Sequence, residues 1–241
     1  VGSAKAYVRS IRALLTDPVG SLATTWRTAS SAAAMLAPQS EPLSTWMVGR
    51  SLTSAFTLLD VPLDKLKTSA RAAGVTLNIV FIAAVADAIG AYHREHDHRI
   101  DGFRINMPVS QREPGDEATG NHWVPARFVV PCGEEDPTAR LKQLVDVVDT
   151  ARNDPALALS EATYKAMALM PAPVTERLAG MLMKGVDVAA TNVPGPPFPV
   201  YLAGAQVTTL VPFAPKSGAA INIALLTYNG AAYFGINIDP A

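Results

Sequence analysis

The densest group of residues that could bind a metal is the tract from His93 to His98, which holds three histidines and two carboxylates. Imidazole and carboxylate groups are common zinc ligands, and a helical zinc site places two histidines four residues apart around a glutamate. The tract does not have that spacing. Because histidines are also favoured at the negative end of a helix dipole, the sequence predicts a solvated helix terminus here and no metal.

Other polar residues stand at the ends of predicted elements, where side chains can either face a cleft or cap a loop. Asn78 opens a long apolar segment, so its amide could cap a helix or donate a hydrogen bond to a substrate. Two predicted strands end in further polar residues, namely Ser110, Gln111, Arg112, Thr191 and Asn192. No serine–histidine–aspartate arrangement and no glycine-rich phosphate loop accompanies them.

The elements that would position these residues alternate between strand and helix, and the chain closes on several strands in succession. Residues 77–96 are apolar nearly all round, which predicts a helix buried on most faces. Helices are also predicted over 63–73, 136–151, 160–171 and 173–184, and strands over 54–61, 103–109, 123–130, 187–192, 205–212, 219–227 and 230–238. Asn229-Gly230 indicates a hairpin turn between the last two strands. This order predicts an α/β fold with a mixed sheet flanked by helices.

The first part of the chain has a different character. Residues 4–15 and 17–36 each read as an amphipathic helix, with Tyr7, Ile11 and Leu14 on one face of the first. A breaker from Pro38 to Pro42 follows, which predicts a hinge.

The segment Thr191 to Pro197 predicts a rigid exit from a strand. Pro194 and Pro196 fix φ and donate no backbone hydrogen bond, while Gly195 between them can take a positive φ.

Taken in order, these segments resemble the C-terminal half of the bacterial wax ester synthase/diacylglycerol acyltransferase family. The resemblance covers roughly residues 45–241. It lies in Val75-Thr76-Leu77-Asn78, in the strand from Arg104 to Arg112, in Gly120-Asn121, in Asp136 to Leu141, in Asn192-Val193-Pro194-Gly195-Pro196 and in the closing hairpin to Ala241.

This resemblance implies one half of a two-lobed fold like that of chloramphenicol acetyltransferase, with an active-site tunnel between the lobes. Residues 1–44 would form a helical linker between lobes, and residues 45–241 the C-terminal acyltransferase lobe. The family transfers a long-chain acyl group from acyl-CoA, as a substrate and not a cofactor, to a diacylglycerol or a fatty alcohol. Its catalytic His-His-x-x-x-Asp-Gly motif is absent here, so the chain is expected to be a catalytically incomplete C-terminal fragment whose partner is an N-terminal lobe.

By the same resemblance, Ser110, Gln111, Arg112, Thr191 and Asn192 would line the tunnel. Asn78 would support catalysis, although the family's Asn-Asp pair reads Asn78-Ile79 here. The methionines Met107, Met167, Met170, Met181 and Met183 could line the tunnel or belong to the core, and Arg112, Arg127 and Lys216 could bind the anionic coenzyme A. The alternatives are a non-catalytic lipid- or protein-binding member of the fold, and a condensation-type acyltransferase of peptide or polyketide assembly.

Composition sets outer limits on these interpretations. The net charge of −1 gives no basic excess, which argues against a nucleic-acid partner. The single cysteine excludes an internal disulfide, and no apolar run reaches the length of a membrane span. With 49% hydrophobic and 17% charged residues, the expectation is a cytoplasmic protein that could touch a membrane or lipid-droplet surface.

Overall fold

The computed structural model describes residues 41–51, 53–110, 123–134, 136–154, 157, 167 and 169–241. The predicted linker over residues 1–44 therefore lies outside the described residues except for 41–44, and so do the predicted helices over 4–15 and 17–36. Gln111 and Arg112 and most of the helix predicted over 160–171 also fall outside them.

A six-stranded mixed sheet forms the centre of the described lobe, with strand order β1-β8-β7-β4-β2-β3. Strands β2, β4 and β7 run parallel, and the other pairs are antiparallel. The strands are β1 (Ala55–Pro62), β2 (Gly102–Ser110), β3 (Trp123–Pro131), β4 (Val188–Pro194), β7 (Ile221–Tyr228) and β8 (Ala231–Ile238), with a separate hairpin of β5 (Tyr201–Leu202) and β6 (Ala205–Gln206). The longer helices are α1 (Leu63–Ala72), α2 (Leu77–Glu95), α3 (Pro137–Arg152) and α4 (Ala172–Met183). The predicted mixed-sheet α/β fold is confirmed.

Helix α2 supplies much of the hydrophobic core, as its apolar sequence predicts. Its buried residues, among them Phe81, Ile82 and Val85, pack with Phe103 and Ile105 of β2. Burying a side chain of this size is worth about 1.5–3 kcal/mol. In the described part of the chain no single helix is long and apolar enough to span a membrane; α1 and α2 pass that test only as a pair bent by 96°.

The hairpin between β7 and β8 follows the turn chemistry of its sequence. Asn229 has φ of 43° and Gly230 has φ of 85°. Two consecutive positive φ values are typical of a type I′ turn, which Asn-Gly favours. The turn fixes the register in which Asn222 faces Asn237.

The prediction of a strand over residues 205–212 is wrong. Only Ala205 and Gln206 are extended in a ladder, and residues 207–217 instead cross one face of β7 and β8 without joining the sheet. The side-chain amides of Asn222 and Asn237 donate to the carbonyls of Pro215 (2.9 Å) and Ala214 (3.1 Å). Carbonyls of this crossing segment therefore bond to side chains, and its prolines cannot donate to a ladder.

A buried carboxylate fixes the start of the described chain to the lobe. The side chain of Asp187, next to β4, accepts hydrogen bonds from the backbone N–H groups of Leu43 (3.2 Å), Ser44 (3.0 Å) and Arg104 (2.6 Å). A buried carboxylate needs such partners to offset the loss of hydration. Residues 41–44 are thus packed on the lobe.

Candidate functional site

Two asparagines meet where the end of strand β4 approaches the beginning of helix α2. The side-chain nitrogen of Asn192 donates to the side-chain oxygen of Asn78 at 3.4 Å, across 114 positions of sequence. Both side chains are half-buried. The structure therefore brings together two of the residues that the sequence predicts for the site.

Asn78 is not the cap of α2, although its position allowed that interpretation. Thr76 is the N-cap, and its hydroxyl accepts from the backbone N–H of Ile79 at 3.3 Å. Asn78 lies in the first turn, and its side-chain nitrogen points to the sulfur of Met107 at 3.8 Å. Because a thioether sulfur is only a weak acceptor, the Asn78 amide keeps donor capacity for another group.

This geometry can stabilise negative charge. The N-terminus of a helix carries a partial positive charge, and the first N–H groups of a helix have no partner within it. An amide held at that end by a second amide is the type of donor that stabilises an oxyanion in acyl transfer.

The other predicted tunnel residues do not all join this pair. Successive residues of a strand point to opposite faces of a sheet, so Thr191 lies on the face opposite to Asn192. Ser110 ends β2 and pairs with Trp123 of β3. Gln111 and Arg112 lie outside the described residues.

The residue after Asn78 belongs to the core. Ile79 is 5% exposed and packs in the same apolar cluster as Met107. Where the family resemblance places an aspartate, this chain therefore has a buried aliphatic side chain, and no carboxylate accompanies Asn78.

Strand β4 ends within the predicted segment, at Pro194, but the positive φ expected at Gly195 is wrong. Gly195 is not among the glycines with positive φ. A Cβ on Gly195 would lie 2.2 Å from the carbonyl oxygen of Thr227. The position needs glycine because another strand passes too close for any side chain.

The histidine tract ends helix α2 as predicted, with Glu95 and His96 exposed, but its first histidine is a correction. His93 is 1% exposed, whereas the sequence predicted a solvated helix terminus. Its Nδ1 lies 2.7 Å from the carbonyl oxygen of Ile89, so Nδ1 carries the proton and Nε2 bonds the hydroxyl of Ser44 at 2.8 Å. Trp46 stacks on His93 with ring centroids 5.2 Å apart. The helical spacing of His93 four residues after buried Ile89 was the signal for its burial.

No group of three or more potential metal ligands converges within the described ranges. Burial raises the pKa of the Cys132 thiol to about 11, so this cysteine is a poor nucleophile near neutral pH. Lys216 is held by Asp239 at 2.9 Å and is 17% exposed, which removes it from the candidates for binding coenzyme A.

The methionines divide between core and surface. Met107 and Met167 are buried, whereas Met170 and Met183 are 42% and 45% exposed.

Comparison with known proteins identifies the family. The model of the WS/DGAT C-terminal domain matches residues 119–241, just over half of the chain. A relative from Mycobacterium tuberculosis, named as a diacylglycerol O-acyltransferase, is 30% identical over 230 residues, which are 95% of this chain and 46% of the relative.

The solved structures agree on the fold. The wax ester synthase/diacylglycerol acyltransferase of Marinobacter aquaeolei superposes with a TM-score of 0.57 at 21% identity, over 88% of this chain and 51% of that one. The nonribosomal peptide synthetase FmoA3 gives 0.56 at 14% identity, over 89% of this chain and 22% of that one. This chain spans about half the length of the curated relatives that it matches. The chain belongs to the WS/DGAT C-terminal domain family.

Proposed function

We propose that this chain is the C-terminal lobe of an O-acyltransferase that moves a long-chain acyl group from acyl-CoA to a diacylglycerol or a fatty alcohol. The family membership and the name of the mycobacterial relative support the reaction class. The single observation that carries the site is the amide pair of Asn78 and Asn192 at the beginning of α2.

In this proposal the general base lies on an N-terminal lobe that packs against the end of β4 and the beginning of α2. A histidine there, in the family's His-His-x-x-x-Asp-Gly motif, accepts the proton of the acceptor hydroxyl. The alkoxide oxygen attacks the thioester carbon and the carbonyl oxygen becomes an oxyanion. As the tetrahedral intermediate collapses, the C–S bond breaks and the histidine returns its proton to the sulfur, so coenzyme A leaves as the thiol. A base of this kind is worth about 10²–10⁴ in rate.

Asn78 donates to the oxyanion in this scheme, and Asn192 orients it. The donated bond from Asn192 occupies the Asn78 oxygen, which turns the Asn78 nitrogen away from Asn192. Loss of one oxyanion donor costs about 10²–10³ in kcat in a serine protease, whose acyl-transfer chemistry forms a similar oxyanion.

A chimera tests the proposal directly. The N-terminal half of the Marinobacter enzyme joined to this chain should transfer the acyl group of a labelled long-chain acyl-CoA to diacylglycerol or hexadecanol, whereas this chain alone should not. Asn78→Ala in the chimera should lower kcat about 10²–10³-fold. Asn153→Ala is the matched control, because Asn153 caps the end of helix α3 and its side chain donates to the nearby carbonyl of Asp149.

Two results would overturn the proposal. One is turnover by the 241-residue chain without the other half. The other is a folded chimera that binds acyl-CoA and transfers acyl groups equally well with and without the Asn78 amide.

A second candidate is a non-catalytic lipid- or protein-binding member of the family, and Ile79 favours it. A buried isoleucine stands where the family has an aspartate, so any step that needs that carboxylate is missing. A chimera that binds acyl-CoA without turnover, and gains turnover with Ile79→Asp, would support this candidate.

We further propose a cytoplasmic location with contact to lipid surfaces, which fractionation of cells between cytosol, membranes and lipid droplets would test.

A further inference from the structure

Strand β1 ends the sheet on one side, so that among the described elements its outer edge has no neighbouring strand. Its eight residues, Ala55–Pro62, pair with β8 in an unbroken antiparallel register. All of them are exposed except Val61, which is half-buried. An edge strand presents unpaired backbone N–H and C=O groups, which can pair with a strand of another chain.

A hydrogen bond just beyond the end of β1 shows which backbone groups point outward. The N–H of Leu63 donates to the carbonyl of Gly230 at 3.0 Å, one step past the last pair of the β1–β8 register. Because bonded and non-bonded pairs alternate along an antiparallel ladder, every second residue from Val61 back to Ala55 bonds to β8. The backbone groups of the three residues between them point away from the sheet, namely Phe56, Leu58 and Asp60.

This edge has few of the features that prevent the addition of a strand. Exposed edges are commonly blocked by lysines, by prolines within the strand or by bulges. In β1 the only charged residue is Asp60, the only proline is Pro62 at the end, and the register with β8 has no bulge. The side chains of Phe56, Leu58 and Leu59 are all more than half exposed. The edge is therefore open to an added strand with apolar side chains.

A second copy of β1 fits this edge when the two strands run antiparallel about a two-fold axis at Leu58. Leu58 then lies opposite Leu58 of the second copy, and Phe56 lies opposite Asp60. Only an axis at Leu58 pairs the three outward residues of each strand with one another. It also keeps the two Asp60 carboxylates apart, whereas an axis at Asp60 would place like charges directly opposite, which is destabilising.

The side chains match across the same axis. On one face the two Leu58 side chains are opposite each other, and Phe56 is the diagonal neighbour of Leu58 in the second copy, a separation that aromatic side chains reach. The ring of Phe213 lies 5.3 Å from that of Phe56 and is half-exposed, so it extends this apolar row. On the other face Thr57 lies opposite Leu59 of the second copy. The pairing therefore covers apolar side chains on both faces of the sheet.

We propose that two copies of this chain associate by antiparallel pairing of their β1 strands about a two-fold axis at Leu58, which joins the two six-stranded sheets into one. Such an interface is isologous, so it closes on two copies and does not continue into a filament. The proposal does not depend on acyltransferase activity, because Asn78 and Asn192 belong to α2 and β4 and not to the paired edge.

Cysteine cross-linking in the 241-residue chain tests the register. In a Cys132→Ser background, Leu58→Cys should form a disulfide-linked dimer at least about tenfold faster than Asp60→Cys, because a bonded pair holds its Cα atoms about 5.5 Å apart, within the range of a disulfide. Asp60→Cys is the matched control, since position 60 lies on the same edge and the same face but opposite Phe56. A mixture of Phe56→Cys and Asp60→Cys chains should link, whereas neither chain should link alone.

Charge exchange at the axis gives a second measurement. Leu58→Lys and Leu58→Glu should each weaken dimerisation about tenfold in sedimentation, because like charges then face each other. An equimolar mixture of the two variants should restore the dimer, since opposite charges then meet at the axis. Leu202→Lys on the β5–β6 hairpin should leave the Leu58→Cys cross-link unchanged, which separates edge pairing from general apolar adhesion.

Several outcomes would overturn the proposal. Equal linking rates for Leu58→Cys and Asp60→Cys would show association without this register, and so would a charge mixture that does not recover. A chain that stays monomeric in sedimentation would exclude the dimer. Slow hydrogen exchange at the Phe56, Leu58 and Asp60 amides in a monomeric chimera with an N-terminal half would also overturn it, and would assign the edge to that half.

Discussion

At Gly195 the space for a single extra carbon atom decides which residue the fold accepts. A Cβ there would meet the Thr227 carbonyl oxygen at 2.2 Å, and the side chain of Leu226 lies 3.1 Å away. Gly195→Ala should therefore destabilise the lobe by about 1–3 kcal/mol, because strand β4 must move away from β7. For a chain of this length the melting temperature should fall by about 2–4 °C per kcal/mol.

The control for this prediction is Gly180→Ala in helix α4, where an added Cβ meets no atom within 4 Å. That change should stabilise by about 0.5–1 kcal/mol, since alanine is the better helix former. Equal melting temperatures for the two variants would show that β4 tolerates the contact.

At this scale the sequence predicted two side chains that the structure brings together, but it did not predict how they meet. Asn78 and Asn192 were selected because they stand at the ends of elements, and the structure joins them. The two residues are 114 positions apart in the sequence. Their contact depends on the order of the strands in the sheet, which local sequence patterns do not specify. Thr76 and Asn78 are both good caps, so composition could not decide between them. Positive φ and close approach both require glycine, so Gly195 alone could not distinguish the two causes.

Among the elements, strand β8 is followed by a carboxylate, Asp239, that ties the end of the sheet to other segments. Asp239 accepts hydrogen bonds from the hydroxyl and N–H of Ser51 (2.7 and 3.0 Å) and from the ammonium of Lys216 at 2.9 Å. The Lys216 ammonium, and then the Ser51 hydroxyl, hold the pKa of Asp239 well below its usual range.

The pH dependence of stability follows from that direction. A carboxyl group with a lowered pKa in the folded state stabilises the protein fully above its unfolded pKa of about 3.9, and this contribution is lost as pH falls toward the folded pKa. Urea unfolding of the wild type should therefore show stability falling below about pH 4, and Asp239→Asn should be less stable at pH 7 with a shallower acid dependence. Parallel pH profiles for the two proteins would contradict the assignment.

The regular elements were predictable because their signals are local. The apolar pattern of α2, the Asp-Pro start of α3 and the Asn-Gly turn before β8 each act within a few residues. The crossing segment at 207–217 was not predictable, because its Val and Thr residues favour strands. The amides of Asn222 and Asn237 capture its carbonyls instead, and these partners come later in the chain.

In the molecule as a whole, the two edges of the sheet differ. Strand β1 exposes side chains on both faces, including Leu58 (59%) on one and Leu59 (53%) on the other, and the β5–β6 hairpin exposes Tyr201 (64%) and Leu202 (75%). The edge at β3 instead borders an acidic groove beside α3. A lobe with two such different surfaces is suited to two different partners, and only the order of the strands, not the sequence pattern, separates them.

This surface leads to a prediction for the chain in isolation. Exposed apolar patches above several hundred Å² are rare on soluble monomers, so the 241-residue chain should bind a hydrophobic dye strongly and associate with itself. Leu202→Lys with Phe56→Lys should weaken both effects, because both side chains are more than half exposed. Phe56 loses its edge contact with the ring of Phe213, which is itself half-exposed. Thr138→Lys with Asn153→Lys, two exposed polar positions of helix α3, is the matched control and should leave self-association unchanged. Dye fluorescence and light scattering measure the two effects. A monodisperse chain that binds no dye would show that this lobe needs no partner.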